Sequence, residues 1–137
     1  MTPRLLRFIG GAYALILASS AFAEFRQIDL HDYDDDLMRD MEKTIKYFEP
    51  DITAGNAQGA MDDAEVLRDG FKYTERYFAK KGDANDAVEI SQKGQELIAA
   101  AIKSVSESNF EAAAEAARGT AKTCKSCHEI YKPPSKN

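Results

Sequence analysis

The sequence predicts an all-α protein, an antiparallel up-down-up-down four-helix bundle. Four segments carry apolar residues at alternating spacings of three and four, the stripe that a helix presents to a core. Only a few residues of turn-forming type separate consecutive segments, so neighbouring helices are expected to run antiparallel. No stretch alternates apolar and polar residues between turn signals, so no strand is predicted.

The first two helices are predicted from stripes in the first half of the chain. The first stripe is Met38, Met41, Ile45, Phe48 and Ile52. The second is Ala60, Ala64, Leu67, Phe71, Thr74 and Phe78. Pro50 lies inside the first stripe, where its ring removes a backbone hydrogen bond and crowds the preceding turn. We therefore expect a kink or break near Phe48 and Glu49.

The last two helices follow the same pattern. The third stripe is Ala87, Ile90, Gly94, Leu97 and Ala101, and the fourth is Phe110, Ala113, Ala117, Thr120, Cys124, Cys127 and Tyr131. Turn and capping residues separate the helices at 54–56, 81–83 and 106–109. Gly94 and Gly119 lie within helices, where they are either tolerated or make room for a flat cofactor.

The first 23 residues are typical of a secretory signal peptide. Arg4 and Arg7 form a short basic start, residues 8–17 are mostly apolar, and Ala21-Phe22-Ala23 is a cleavage signal. A membrane anchor is the weaker alternative, because this run falls short of the ~20 apolar residues that a span needs. We predict a signal peptide at 1–23, a single domain at 24–137 and no membrane span once the leader is removed.

The chain is acidic, which excludes one class of partner. It carries 23 acidic and 18 basic residues, for a formal net charge of −5. Removing the predicted leader takes away two arginines and no acidic residue, so the remaining domain is more negative. Nucleic-acid binding requires a basic face and is therefore not expected.

The stretch Cys124-Lys125-Ser126-Cys127-His128 carries the chemistry. Two thiols three positions apart, followed at once by an imidazole, are the pattern for covalent attachment of a c-type haem. The thiols add to the porphyrin vinyl groups, and the histidine reaches the iron. The sequence thus predicts one covalent haem c held by Cys124 and Cys127, with His128 as the proximal ligand. Export supports this prediction, since c-type haem is attached outside the bacterial cytoplasm.

Two other interpretations of the cysteine pair are weaker. A disulfide redox motif is expected near a βαβ pattern, with its thiolate favoured at a helix N-terminus. Here the pair follows a long helical pattern, near its C-terminal end. A structural zinc site needs four ligands, and the distant His31 is the only other histidine in the chain.

An exported helical chain with one such motif near its C-terminus resembles the cytochrome c-prime family, the class II c-type cytochromes. Their motif commonly continues with an aromatic and a basic residue, and Tyr131 and Lys132 occupy these two places. The likeness covers nearly the whole of residues 24–137. Tyr131 is expected either to pack on a haem edge or to be an ordinary core aromatic.

The resemblance also implies a distal position on the first helix. Low-spin members of the family have Met there and transfer electrons, whereas high-spin members have Leu or Phe and bind small gases. Aligning the family's first-helix pattern with this chain places Met38 at that position, and Met41, one turn later, is the second choice. Methionine as plain core filler, with an open iron, is the alternative. His31, beside four aspartates, is expected to be a solvated residue at the start of the helix.

The charged residues near the motif leave two questions open. The family often carries an arginine near the haem propionates at the position that Asp34 occupies here, so the group that offsets the propionates is not identified. Lysines around the motif either match the helix dipole or steer an acidic redox partner: Lys122, Lys125, Lys132 and Lys136. Family members often dimerise through the first two helices, so a homodimer stays open.

The sequence therefore predicts a periplasmic monohaem cytochrome that carries one electron at a time and is not an enzyme. A five-coordinate protein that binds nitric oxide or carbon monoxide is the alternative function. A third hypothesis is a haem-free helical interaction module.

Overall fold

A computed structural model describes residue 26 and residues 28–132. They contain four α-helices: α1 at Asp35–Thr53, α2 at Ala57–Lys81, α3 at Asn85–Ser106 and α4 at Phe110–Tyr131. The four helices and the three turns between them confirm the predicted all-α architecture. The predicted signal peptide at 1–23 and Lys136 lie outside the described residues.

Local side-chain chemistry determines where three of the helices begin. Asp34, Asn56 and Asn109 precede α1, α2 and α4, and each accepts a hydrogen bond from a backbone N–H three residues on. These caps satisfy amide groups that have no partner inside the helix. No side chain caps α3, whose N-cap residue is Ala84. The α2–α3 turn begins at Gly82, whose φ of +74° is one that glycine adopts without strain.

Helix α1 continues through Pro50, so the expected break does not occur. The proline lies one turn before the end of the helix, and the N–H it lacks would bond the carbonyl of the exposed Lys46. Water can satisfy that carbonyl, which makes the cost lower than in a buried segment. The last turn of α1 is closed by a hydrogen bond of 2.9 Å from the Ala54 amide to the Pro50 carbonyl.

The helices pack in a closed ring. Helix α1 contacts α2, α2 contacts α3, α3 contacts α4, and α4 returns to contact α1. Three short connections link the helices, so sequential neighbours run antiparallel, as in an up-down-up-down bundle. Both ends of the chain's described part therefore meet at one end of the bundle.

The core confirms most of the predicted stripes and corrects two positions. Phe110 was expected to face the core, but it is 37% exposed at the first position of α4, where the bundle ends. In α3, Ser91 and Ile98 are buried while Ile90 is only partly so. The sequence favours Ile90 over Ser91 as the core residue because isoleucine is apolar. The Ser91 hydroxyl becomes compatible with burial by donating to the Ala87 carbonyl at 2.7 Å.

The segment before α1 packs across the open end of the bundle. The Arg26 amide donates to the Ile130 carbonyl at 3.0 Å, and its guanidinium donates to the Asp83 carbonyl at 2.9 Å. The Tyr33 hydroxyl bonds Thr74 Oγ1 on α2 at 2.6 Å. We call this region, Arg26 with residues 28–34, the N-terminal segment.

Within the described part of the chain, no helix is both long and apolar enough to cross a membrane.

Candidate functional site

The last two turns of α4 carry the Cys-Lys-Ser-Cys-His sequence. The helix is continuous through it, so Cys124, Cys127 and His128 share one flank, as spacings of three and four residues require. Both cysteines are half-buried and neither forms a disulfide. The flank faces α1, α2 and the N-terminal segment.

A cavity of about 670 Å³ adjoins this flank. Its walls come from the N-terminal segment, α1, α2 and the end of α4. It brings together four of the predicted site residues, namely Met38, Cys127, His128 and Tyr131. The other lining residues are Ile28, Asp29, Leu30, His31, Tyr33, Asp35, Thr74, Phe78 and Lys132.

A second cavity, of about 40 Å³, lies deeper between the helices. It shares Met38, Thr74, Cys127 and His128 with the large cavity, and it adds Cys124 and Met41. The two thiols of the motif therefore border two neighbouring cavities that share four lining residues.

Met38 and Met41 differ in their surroundings. Met41 is only 4% exposed, and its thioether occupies the space beside Gly70, where a β-carbon would overlap it. Met38 is partly exposed and borders both cavities. Met41 is therefore a packing residue between α1 and α2 that borders only the small cavity, whereas Met38 borders both cavities, each of which His128 also lines.

The surroundings of the cysteines disfavour thiol–disulfide chemistry. Burial raises the pKa of Cys124 to about 11, and it raises that of Cys127 to about 11 as well. Redox-active pairs require a thiolate, which a helix N-terminus or a neighbouring cation stabilises. This pair instead lies near the C-terminal end of α4, where the helix dipole disfavours negative charge.

His128 lies between α4 and α1 beside two charged groups. Its Nδ1 is 4.0 Å from Glu42 Oε1, and the same oxygen accepts a hydrogen bond from Lys132 Nζ at 2.6 Å. This hydrogen bond lowers the pKa of Glu42. Burial lowers the pKa of His128, Lys132 acts in the same direction, and Glu42 opposes both. The neutral imidazole that a metal ligand requires is thus favoured.

Tyr131 is both a core residue and a wall of the large cavity. Its ring packs on Phe78 with centroids 4.9 Å apart, and its hydroxyl donates to the Asp86 carboxylate. The two expectations for this residue are therefore compatible: the ring is held by the core and one side borders the cavity.

His31 and Asp34 have local roles. His31 is exposed, and its Nδ1 lies 2.8 Å from Asp29 Oδ1 at the rim of the cavity. Asp34 accepts from the Leu37 amide at 3.0 Å. A carboxylate cap on α1 thus occupies the position where the resembled family often has arginine.

The helix glycines do not face the cavities. A β-carbon on Gly94 would lie 2.5 Å from Phe71 Cε1, and one on Gly119 would lie 3.2 Å from Leu97 Cδ2. Both glycines accommodate side chains of neighbouring helices, which favours a packing role over the alternative that they make room for a cofactor.

The lysines near the motif are largely paired. Lys132 bonds Glu42, and Lys125 Nζ lies 3.8 Å from Glu129 Oε1. These acidic neighbours offset the positive charge that would steer an acidic partner.

The N-terminal segment was missed as part of the site. Ile28, Leu30 and Tyr33 line the cavity, and Thr74 holds Tyr33 in place. Three apolar or aromatic residues among the polar residues before α1 were the available signal, but three are too few for a periodicity argument.

The residues present fit a covalently attached haem. Cys127 and the partly buried His128 border the large cavity, whose other walls include Ile28, Leu30 and Phe78, and Cys124 borders the small cavity beside it. Apolar walls of this kind exclude water from a bound cofactor. Among the described residues, no group of three His, Cys, Asp or Glu side chains is arranged to hold a bare metal ion.

Comparisons with protein-family models, with curated proteins and with solved structures found no match in any of the three.

Proposed function

We propose that the protein is a periplasmic monohaem c-type cytochrome of class II, similar to cytochrome c-prime, that carries single electrons between redox partner proteins. The observation that carries the proposal is that one cavity is lined by Cys127 and His128 of the motif and by Met38, which lies far from them in sequence. A four-helix bundle with a cofactor between its helices is a common arrangement for such sites.

Each motif residue has a stated role in this proposal. Cys124 and Cys127 anchor the haem through thioethers, and the neutral imidazole of His128 is the proximal ligand. The bound haem supplies a one-electron Fe(III)/Fe(II) couple. The chain contributes the ligands, the apolar walls and the exclusion of water, which together tune the reduction potential.

Met38 is the proposed distal ligand. Met38 borders both cavities that His128 lines, whereas Met41 borders only the small one and packs against α2. A thioether favours Fe(II), so His/Met ligation raises the reduction potential into a range suited to electron transport. A protein with no distal ligand would instead bind nitric oxide or carbon monoxide.

Mass spectrometry tests the haem itself. We expect the protein exported to the periplasm of a bacterium with haem-attachment machinery to be heavier than the leader-cleaved chain by one haem. A pyridine haemochrome assay should report two thioether links. A mass equal to that of the bare chain would refute the cytochrome and leave a haem-free interaction module.

The ferric spectrum tests Met38. We expect a low-spin spectrum with a weak methionine-to-iron band in the purified protein. Met38→Ala should abolish the band and convert the iron to high spin, because the thioether ligand is lost.

Two matched variants serve as controls. Met61→Ala alters a residue on α2 that is 45% exposed and outside both cavities, so the band should persist. Met41→Ala should destabilise the fold but retain the band. A high-spin spectrum of the unaltered protein would instead support the five-coordinate, gas-binding function.

A further inference from the structure

The carboxylate of Glu42 lies between the two helices that carry the proposed iron ligands. It belongs to α1, one turn after Met38, and it faces His128 of α4. Its Oε1 is 4.0 Å from His128 Nδ1. This separation is longer than a hydrogen bond, and a shift of about 1 Å by either side chain closes it.

Lys132 holds this carboxylate in place. Lys132 is the residue that follows α4, and its ammonium donates a hydrogen bond to Glu42 Oε1 at 2.6 Å. Lys132 follows His128 by one helical turn, so a single oxygen of Glu42 faces both side chains. The contact spans 90 positions of sequence and links α1 to the C-terminal end of α4.

We propose that Glu42 is a positioning residue that orients the His128 ring through Nδ1. A carboxylate only accepts hydrogen bonds, so its partner nitrogen must carry the proton. The lone pair is then left on Nε2, the nitrogen available to iron. Metal-bound histidines typically donate their second N–H to such a partner, which fixes the ring and increases the basicity of the ligand.

This inference rests on the proposed function and adds a way of regulating it. A more basic imidazole stabilises Fe(III) relative to Fe(II), so Glu42 lowers the reduction potential. Met38 acts in the opposite direction from the same helix face. The two residues of α1 would together set the potential of the carrier.

Two variants of Glu42 separate the charge from the contact. Glu42→Gln removes the charge and keeps the shape, and Glu42→Ala also removes the acceptor. We expect a positive shift of reduction potential in both. In the diamagnetic ferrous protein, we expect hydrogen exchange of the His128 Nδ1–H to be about tenfold faster in Glu42→Ala, as loss of one charged hydrogen bond implies.

Glu49→Ala is the matched control. Glu49 also belongs to α1 and also bridges to α4, through Arg118 at 2.6 Å, but it borders none of the space around His128. If Glu42 only joined α1 to α4, Glu42→Ala and Glu49→Ala would have the same reduction potential and the same His128 exchange rate. That result would overturn the proposal. An absence of covalent haem in the unaltered protein would overturn both the proposed function and this role of Glu42. The absorbance spectrum distinguishes the two failures, because the haem bands are present when only the role of Glu42 fails.

Discussion

Asp51 and Asp63 place two carboxyl groups against each other where α1 ends and α2 begins. One oxygen of Asp63 is buried and has no hydrogen-bond partner. Burial, followed by the charge of Asp51 and a hydrogen bond with it, raises the pKa of Asp63 to about 6. The nearby Asp62 adds further repulsion. Asp63 in the folded chain therefore takes up its proton at a higher pH than an ordinary aspartate does.

This pair makes stability depend on pH. The pKa of Asp63 is higher in the folded state than its usual 3.8, so its protonation stabilises the fold at low pH. That contribution is lost as the pH rises through about 6. Asp63→Asn removes the repulsion, and we expect it to increase the free energy of unfolding above pH 6 by on the order of 1 kcal/mol after solvent screening.

Urea denaturation at pH 4 and pH 7 measures this effect. The gain from Asp63→Asn should be large at pH 7 and small at pH 4. Asp69→Asn is a suitable control, since Asp69 is an exposed residue of the same helix. An equal gain at both pH values would contradict the raised pKa.

Helices α2 and α3 approach each other closely at Gly94. The ring of Phe71 occupies the space where any other residue would place its β-carbon. Phe71 also borders the small cavity, which Cys124, Cys127 and His128 line from α4. The glycine costs helix propensity of up to about 1 kcal/mol against alanine, and the close packing offsets it.

Gly94→Ala tests the balance between these two effects. An alanine should gain helix propensity but force the buried Phe71 ring to move, at a cost of about 1–3 kcal/mol for overpacking. We expect a net loss of stability and a lower thermal midpoint. Gly119→Ala meets only the flexible tip of Leu97, so its midpoint should be unchanged or higher. A stabilised Gly94→Ala would show that the ring adjusts at little cost.

The whole molecule is closed at the cavity end by the N-terminal segment. Tyr33 contacts the rings of Tyr73 and Tyr77 edge-on, with centroids 5.3 and 4.9 Å away. Its hydroxyl donates to Thr74, because the Thr74 hydroxyl donates its own proton to the Gly70 carbonyl. Residues outside the four helices therefore complete the wall of the proposed site.

Removing one hydroxyl tests this closure. Tyr33→Phe retains the aromatic contacts and loses the bond to Thr74, so we expect the free energy of unfolding to fall by about 1 kcal/mol. Chemical denaturation measures the loss, and amide exchange of Tyr33 and its neighbours should accelerate. Tyr47→Phe, at an exposed position of α1, should leave both unchanged. Equal stability of the two variants would mean that the hydroxyl contact contributes nothing.

The sequence by itself determined the number of helices, their order and the position of each turn. Hydrophobic periodicity and capping are local effects, so Asp34, Asn56 and Asn109 signal helix starts without any tertiary information. The Cys-Lys-Ser-Cys-His pattern, from which we predict a haem site, is equally local. The expected break at Pro50 does not occur, because the cost of a proline depends on whether the freed carbonyl meets water.

Only the tertiary structure decided which residues of different helices face each other. Met38 borders the cavity while Met41 packs on Gly70, although one stripe contains both. Glu42 meets Lys132 across 90 residues. Such contacts depend on the rotation and axial shift of one helix against another. The packing of the whole core fixes these quantities, and no local pattern encodes them.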